Sequence, residues 1–261
     1  MSFSFLHPGN AKIFHKMGYF TDQEGIISRY FREAEAWITH LENTKAFILT
    51  SSKNKDKNKA AILGSGWLLD IPIEELSQSF REVWLFDIKH PLQIRSRVEK
   101  LKNVKLSETD ISGLAIPLYK EVKARHRNDL SFDINKILPQ FDFDLSDFSF
   151  VASCNILNQL DIILIDYLKK SLDVTSVLEQ KIRRFIQDNH LHILPKTKSC
   201  LITDVEELWV DKYECIKKQQ SLIYTANMPV DPTKKWTWYF DNHYTYQDNY
   251  KTWFYVHAYD M

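Results

Sequence analysis

The chain has 261 residues, 44% of them hydrophobic, with 34 Lys+Arg against 34 Asp+Glu and a formal net charge of zero. That length and apolar content suit one α/β domain with additions, and the balanced charge leaves no global field to draw the chain to nucleic acid or an anionic membrane. Three cysteines without metal-type spacing, no basic-then-apolar leader and no run near the roughly 18 apolar residues of a membrane span give the expectation of a cytoplasmic protein acting on a small molecule, with its oligomeric state open.

In chain order, Asp22 to Thr44 reads as amphipathic helix, with Ile26, Ile27, Tyr30, Phe31, Ala34, Trp37, Ile38 and Leu41 recurring every three or four residues. Its apolar side needs a surface, either the main sheet or a pocket that it covers. Ser51 to Lys59 is polar and rich in lysine, as a solvated linker is. The expected organisation is therefore a helical extension over 1–50, a linker over 51–59 and a sheet domain over 60–261.

Ala60-Ala61-Ile62-Leu63 is a short apolar run of the kind a buried parallel strand shows, and it empties into Gly64-Ser65-Gly66. Pro72 can open a helix carrying Ile73, Leu76 and Phe80. Val83-Trp84-Leu85-Phe86 is a second strand, and it ends in Asp87. An acid about 20 residues beyond a glycine turn is placed to hold a nucleotide ribose. Leu69 and then Asp70 stand where a dinucleotide fingerprint needs its third glycine and an uncharged helix start. That disfavours a pyrophosphate and favours a ligand with positive charge or hydroxyls.

Farther on, Pro91 can start a helix through Ile94, Val98 and Leu101, and Val104-Lys105-Leu106 begins a third strand that leads to Asp110, a candidate helix or turn cap. Between Gly113 and Ser146 the pattern is irregular; His126, between Arg125 and Arg127, reads as a solvated histidine ahead of a general base. Phe148 to Ser153 is a fourth strand ending in small and polar groups, so Ser153, Asn155 and Gln159 are expected at the crevice formed by the carboxyl ends of the strands. Val177 to Leu191 reads as helix, followed by His190 and His192 at a spacing that suits a strand-borne pair with no third ligand. Cys200 to Glu207 reads as a fifth strand and its exit, with Thr203 or Asp204 placed to cap a helix and Asp204, Glu206 or Glu207 to meet a substrate amine. Leu222 to Ala226 and Trp253 to Ala258 are strand candidates, joined by Trp236-Thr237-Trp238-Tyr239-Phe240 with one face buried.

Leu63-Gly64-Ser65-Gly66, with Asp87 closing the next strand, resembles the first two motifs of the class I S-adenosylmethionine-dependent methyltransferases. Asn155-Ile156-Leu157-Asn158-Gln159-Leu160 after the fourth strand resembles their fourth motif. The resemblance implies a three-layer Rossmann-like α/β fold with a mostly parallel seven-stranded sheet and an antiparallel last strand. It also implies S-adenosylmethionine as cofactor, with Gly64, Ser65 and Gly66 at its amino-acid end, Asp87 on the ribose, Asp110 at the adenine and Ser153 and Asn155 facing the same crevice. The chain has Ala60, Ala61 and Ile62 where the family usually carries an acid, and it lacks the family's third glycine. A catalytically silent binding module of the same fold is therefore the second reading, and an NAD-dependent oxidoreductase the third. No catalytic residue and no metal ligand is assigned.

Overall fold

The structure, a computed structural model, describes residues 8–125 and 132–261; His126 lies outside them. Helices α1 (Pro8–Met17) and α2 (Tyr19–Ser52) open the chain. Gly18, at φ 104°, supplies the left-handed turn between them. α2 extends at both ends past the 22–44 reading and is interrupted at Glu33 (φ −109°, ψ 16°). Its buried stripe also differs: Phe31 and Ile38 are 75% and 50% exposed, whereas Glu33, His40 and Thr44 are buried beside Trp37, Phe47 and Ile48. Hydrophobic periodicity misses these polar positions because side chains from the C-terminal part of the chain meet two of them. His243 Nδ1 lies 2.5 Å from the Glu33 carboxylate, and the Trp236 indole donates to His40.

The chain continues with β1 (Lys59–Leu63), α3 (Ile73–Ser79), β2 (Glu82–Asp87), α4 (Leu92–Val98), β3 (Val104–Glu108) and α5 (Ala115–Lys123). Then come β4 (Phe150–Cys154), α6 (Ile162–Ser171), α7 (Ser176–Ile193), β5 (Ser199–Val210), β6 (Ile216–Ser221), β7 (Lys234–Asp241) and β8 (Lys251–Asp260). The strand order is β3-β2-β1-β4-β5-β8-β7, with β6 attached to β5. β1 to β5 pair in parallel, while β8 is inserted antiparallel between β5 and β7. The fold is the α/β, mostly parallel arrangement with a reversed last strand that the resemblance implies, built from eight strands instead of seven.

The extra strand follows from the length of β5. This 12-residue strand outruns β4, and its far half, Glu206–Val210, pairs with β6 instead. Thr203 and Asp204 consequently start no helix; both lie in the middle of β5, opposite His257 and Val256 of β8. Leu222 to Ala226 forms no strand either. Gln187 of α7 takes the backbone N–H groups of Tyr224 and Thr225 on its side-chain oxygen and donates to Leu222 O, which satisfies the segment without a ladder.

Alternation along the strands produces the three layers. Ala60, Ile62, Val83, Leu85, Phe150, Ala152 and Val256 pack with Trp37, Ile73, Leu76, Ile94 and Val98 of α2, α3 and α4. On the other face Ala61, Leu63, Phe86, Val151 and Leu201 meet Leu191 of α7 together with Leu145 and Phe148. Helices α1, α5, α6 and α7 join in an adjoining apolar cluster. His190 and His192 sit inside α7, not on a strand, so two residues of separation send them to different sides. No described helix is long and apolar enough to cross a membrane.

Candidate functional site

Strand order reverses between β1 and β4, and a cleft opens at the carboxyl ends of the strands there, where open α/β sheets place ligands. Gly64, Ser65 and Gly66 after β1, Asp87 and Ile88 at the end of β2, Asp110 and Ile111 after β3, and Asn155 and Ile156 after β4 all line it. Gly64 is at φ 80°, and a Cβ there would stand 2.1 Å from Ile156 Cγ2 and 2.8 Å from Cys154 O. It is thus the glycine that lets two loops close on each other. Gly66, at φ 41°, would place a Cβ in open space with only Asp87 Oδ2 near, at 3.9 Å. Of the two, Gly66 is the one that leaves backbone bare toward a ligand. Leu68 is also left-handed, at φ 54°, a conformation that costs a side-chain-bearing residue about 1–2 kcal/mol and marks the turn as strained.

Asp87 faces that turn. Gly66 N donates to its Oδ2 at 2.7 Å, Ile88 N to Oδ1 at 2.8 Å, and Gln23 Nε2 of α2 reaches Oδ1 at 3.3 Å. Of these three donors only Gly66 N lies on Oδ2, and a carboxylate oxygen can accept two hydrogen bonds. Burial pushes the Asp87 carboxyl up to about 6, against the backbone N–H groups of Gly66, Ile88 and Lys89, and negative Glu108 adds to the rise. Asp110 also lines the cleft, but both its oxygens are engaged: Oδ1 accepts from Ser112 N and Oγ, and Oδ2 accepts from Ala115 N at the start of α5. It is the cap that the sequence offered as one alternative, with an edge toward the cleft.

Ser65 and Ser153 turn inward. Ser65 Oγ lies 3.0 Å from His90 Nε2, and Ser153 Oγ lies 2.8 Å from His190 Nε2, both pairs buried. Burial pushes His90 down to about 3, with Arg95 adding to the fall, and pushes His190 down to about 4, so both rings are neutral. Ser65 lines the cleft, whereas Ser153 is absent from its wall. Asn155 is brought to the cleft in a left-handed conformation that asparagine tolerates (φ 53°), and its Nδ2 donates to Asp70 Oδ2 at 2.7 Å. Gln159 also reaches the cleft, while Asp204 lies buried behind it. Burial pushes the Asp204 carboxyl up to about 7 against the hydrogen bond from Asn158, and the nearby Asp70 carboxyl adds to the rise.

α2 closes the open side along its length. Tyr19, Asp22, Gln23 and Ile26 flank the Asp87 end, and Trp37, His40 and Leu41 flank the other end beside Trp67, Leu69, Asp70 and Trp238. The Trp67 indole donates to Gln23 O at 2.8 Å, tying helix to turn. His40 stacks on Trp238 with 3.9 Å between ring centroids and 9° between planes. Burial pushes His40 down to about 3. Sequence reasoning missed His40 because it comes from a distant segment and reads as an ordinary member of a helix. The one local hint was Asp70, a carboxyl where a helix was about to start. Four carboxyls, those of Asp22, Asp70, Asp87 and Asp110, line the cleft, and among the described residues no lysine or arginine does.

No family model matches the chain, and comparison with curated proteins gives no match. Among solved structures, it is similar over 99% of its length to 92% of a Burkholderia thailandensis 1,6-didemethyltoxoflavin-N1-methyltransferase, at 9% identity and TM-score 0.39; that protein was crystallised with 1,6-didemethyltoxoflavin and S-adenosylhomocysteine. It is similar over 87% of its length to 79% of an S-adenosylmethionine-dependent methyltransferase from Clostridium acetobutylicum, at 16% identity and TM-score 0.34. A precorrin-6y C5,15-methyltransferase from Geobacter metallireducens aligns over 82% of this chain and 85% of its own, at 12% identity and TM-score 0.28. At these identities and TM-scores, what the chain does has to be read from the cleft itself.

Proposed function

We propose that the chain binds S-adenosylmethionine in this cleft and directs its methyl group to a small-molecule acceptor. The observation that carries the reading is the charge of the lining: four carboxyls and no described cation, around a strand, glycine turn, strand and acid. Such a lining repels a pyrophosphate and suits a ligand bearing a sulfonium, an ammonium and a ribose diol. It thereby ranks this reading above the NAD-dependent oxidoreductase.

The residues present fit the group. Asp87 would hold the ribose through Oδ2, and a second hydroxyl would replace Gln23 on Oδ1. Ile88, Ile111, Leu160 and Ile163 offer apolar surface for a purine, with Asp110 at its edge. Gly66 leaves the backbone open toward the remainder. When bound, the cofactor supplies a methyl group already made electrophilic by the sulfonium. The work left to the protein is alignment of donor and acceptor and exclusion of water. α2, tied to the turn through Trp67 and Gln23, covers the site for that purpose.

Calorimetric titration with S-adenosylhomocysteine tests the reading. Micromolar binding to the wild-type chain, weakened at least tenfold in Asp87→Ala, is expected. No binding to the wild type would leave the silent module as the better description.

A further inference from the structure

The end of the cleft away from Asp87 differs in kind from the glycine-turn end. Its walls are aromatic and aliphatic: Trp37, Trp67, Trp238, Leu41 and Leu69. Set into them are polar groups whose hydrogen bonds are incomplete. Asn155 is 6% exposed and Trp238 5% exposed, and neither Asn155 Oδ1 nor Trp238 Nε1 has a partner among the described residues. A buried polar atom without a partner costs about 1–3 kcal/mol, so two in one wall of a cleft point to something that completes them.

His40 adds a third incomplete group. An indole nitrogen can only donate, so the 3.1 Å contact from Trp236 Nε1 makes His40 Nδ1 an acceptor. The ring is neutral, so its one proton is on Nε2. The 3.3 Å contact between that nitrogen and Asn155 Nδ2 then brings together two donors and is no hydrogen bond. Nε2–H is left as a donor without an acceptor. Because His40 stacks on Trp238 and touches Asn155, two unmatched donors and one unmatched acceptor adjoin on a single aromatic wall. Asp70, bonded to Asn155, supplies a further acceptor beside them.

We propose that this wall is the acceptor subsite and that it takes a flat nitrogen heterocycle with a lactam-type edge, its ring N–H directed to Asn155 Oδ1 or Asp70 and its carbonyl to His40 Nε2–H or Trp238 Nε1–H. The inference deepens the methyltransferase reading and rests on it for the word acceptor; the hydrogen-bond pattern stands without it. An aliphatic amine would leave the donors unmatched.

The test is equilibrium binding of 2-quinolinone, its N-methyl derivative and naphthalene to the full chain, by tryptophan fluorescence and calorimetry, with and without S-adenosylhomocysteine. 2-Quinolinone should bind at least tenfold more tightly than N-methyl-2-quinolinone or naphthalene, and still bind when S-adenosylhomocysteine is present. Trp238→Phe, which keeps an aromatic ring and removes the donor, should weaken 2-quinolinone several-fold and leave naphthalene unchanged. Equal affinities for 2-quinolinone and its N-methyl form, no binding by any of the three, or mutual exclusion with S-adenosylhomocysteine overturns the subsite, whatever Trp238→Phe does. Discrimination by a chain that does not bind S-adenosylhomocysteine upholds the hydrogen-bonding wall and overturns only the methyltransferase reading.

Discussion

The two ends of the cleft are built on opposite principles. At the glycine-turn end the two acids are held largely by backbone, Asp87 by Gly66 and Ile88 and Asp110 by Ser112 and Ala115, while the Tyr19 hydroxyl has no partner among the described residues. That end is a preformed frame whose shape depends on backbone. At the far end, Asn155 Oδ1 and Trp238 Nε1 have no partner among the described residues, in an aromatic wall where His40 stacks on Trp238. Their arrangement depends on side chains from α2, β7 and the loop after β4. Rigid backbone suits a ligand common to many chemistries, and incomplete side-chain bonding suits one particular molecule.

The largest expected effect breaks the frame. Gly64→Ala places a Cβ against Ile156 and Cys154 in a left-handed conformation and should cost about 3 kcal/mol of stability by chemical denaturation. Gly66→Ala, with open space, should cost about 1 kcal/mol. Equal losses would mean that the turn is not divided between a packing glycine and a ligand-facing one.

A second effect separates what is buried behind the cleft from what faces it. Asp204, pushed up to about 7 from 3.8, holds its proton in the folded chain at pH values where an unfolded aspartate has lost it. Its contribution is therefore present below about pH 4 and is lost as pH rises to about 7. Asp204→Asn should reduce that decline by on the order of 2 kcal/mol in denaturation measured from pH 4 to 7. Asp87, pushed up to about 6, acts in the same sense over a narrower window. An unchanged pH profile in Asp204→Asn would show that its carboxyl is ionised in the folded chain.

How much of this was legible in the sequence follows the same division. β1, its turn, β2 and Asp87 are contiguous, and their apolar runs and glycines have local physical meaning, so they could be read directly. The reversed last strand was expected only from the family resemblance; the aromatic alternation near the C-terminus spoke for a buried face and not for a direction. The far end joins residues 37–41, 67–70, 155 and 238, which no local pattern links. His40 lies in a helix whose apparent apolar stripe included Phe31 and Ile38, both exposed. Its burial depends on Trp236 and Trp238, almost 200 residues away. Ser153 lies one residue before the end of a fully buried strand, and strand alternation turns it to α7 and His190 instead of the cleft.

The smallest effect sharpens the far end. Trp236→Phe removes the donor that fixes the His40 tautomer and should cost about 1 kcal/mol of stability. In nitrogen-15 spectra the His40 ring should then no longer show a single Nε2–H tautomer. An unaltered ring signal would mean that something other than Trp236 sets it.

The most direct test of a cleft with two dissimilar ends is a crystal structure of the chain with S-adenosylhomocysteine. The account predicts the ribose within hydrogen-bonding distance of Asp87, the purine against Ile88 and Ile111, and the sulfur directed toward the wall of His40, Asp70 and Trp238. A ligand whose ribose lies away from Asp87, or whose purine fills the His40–Trp238 end, would contradict it.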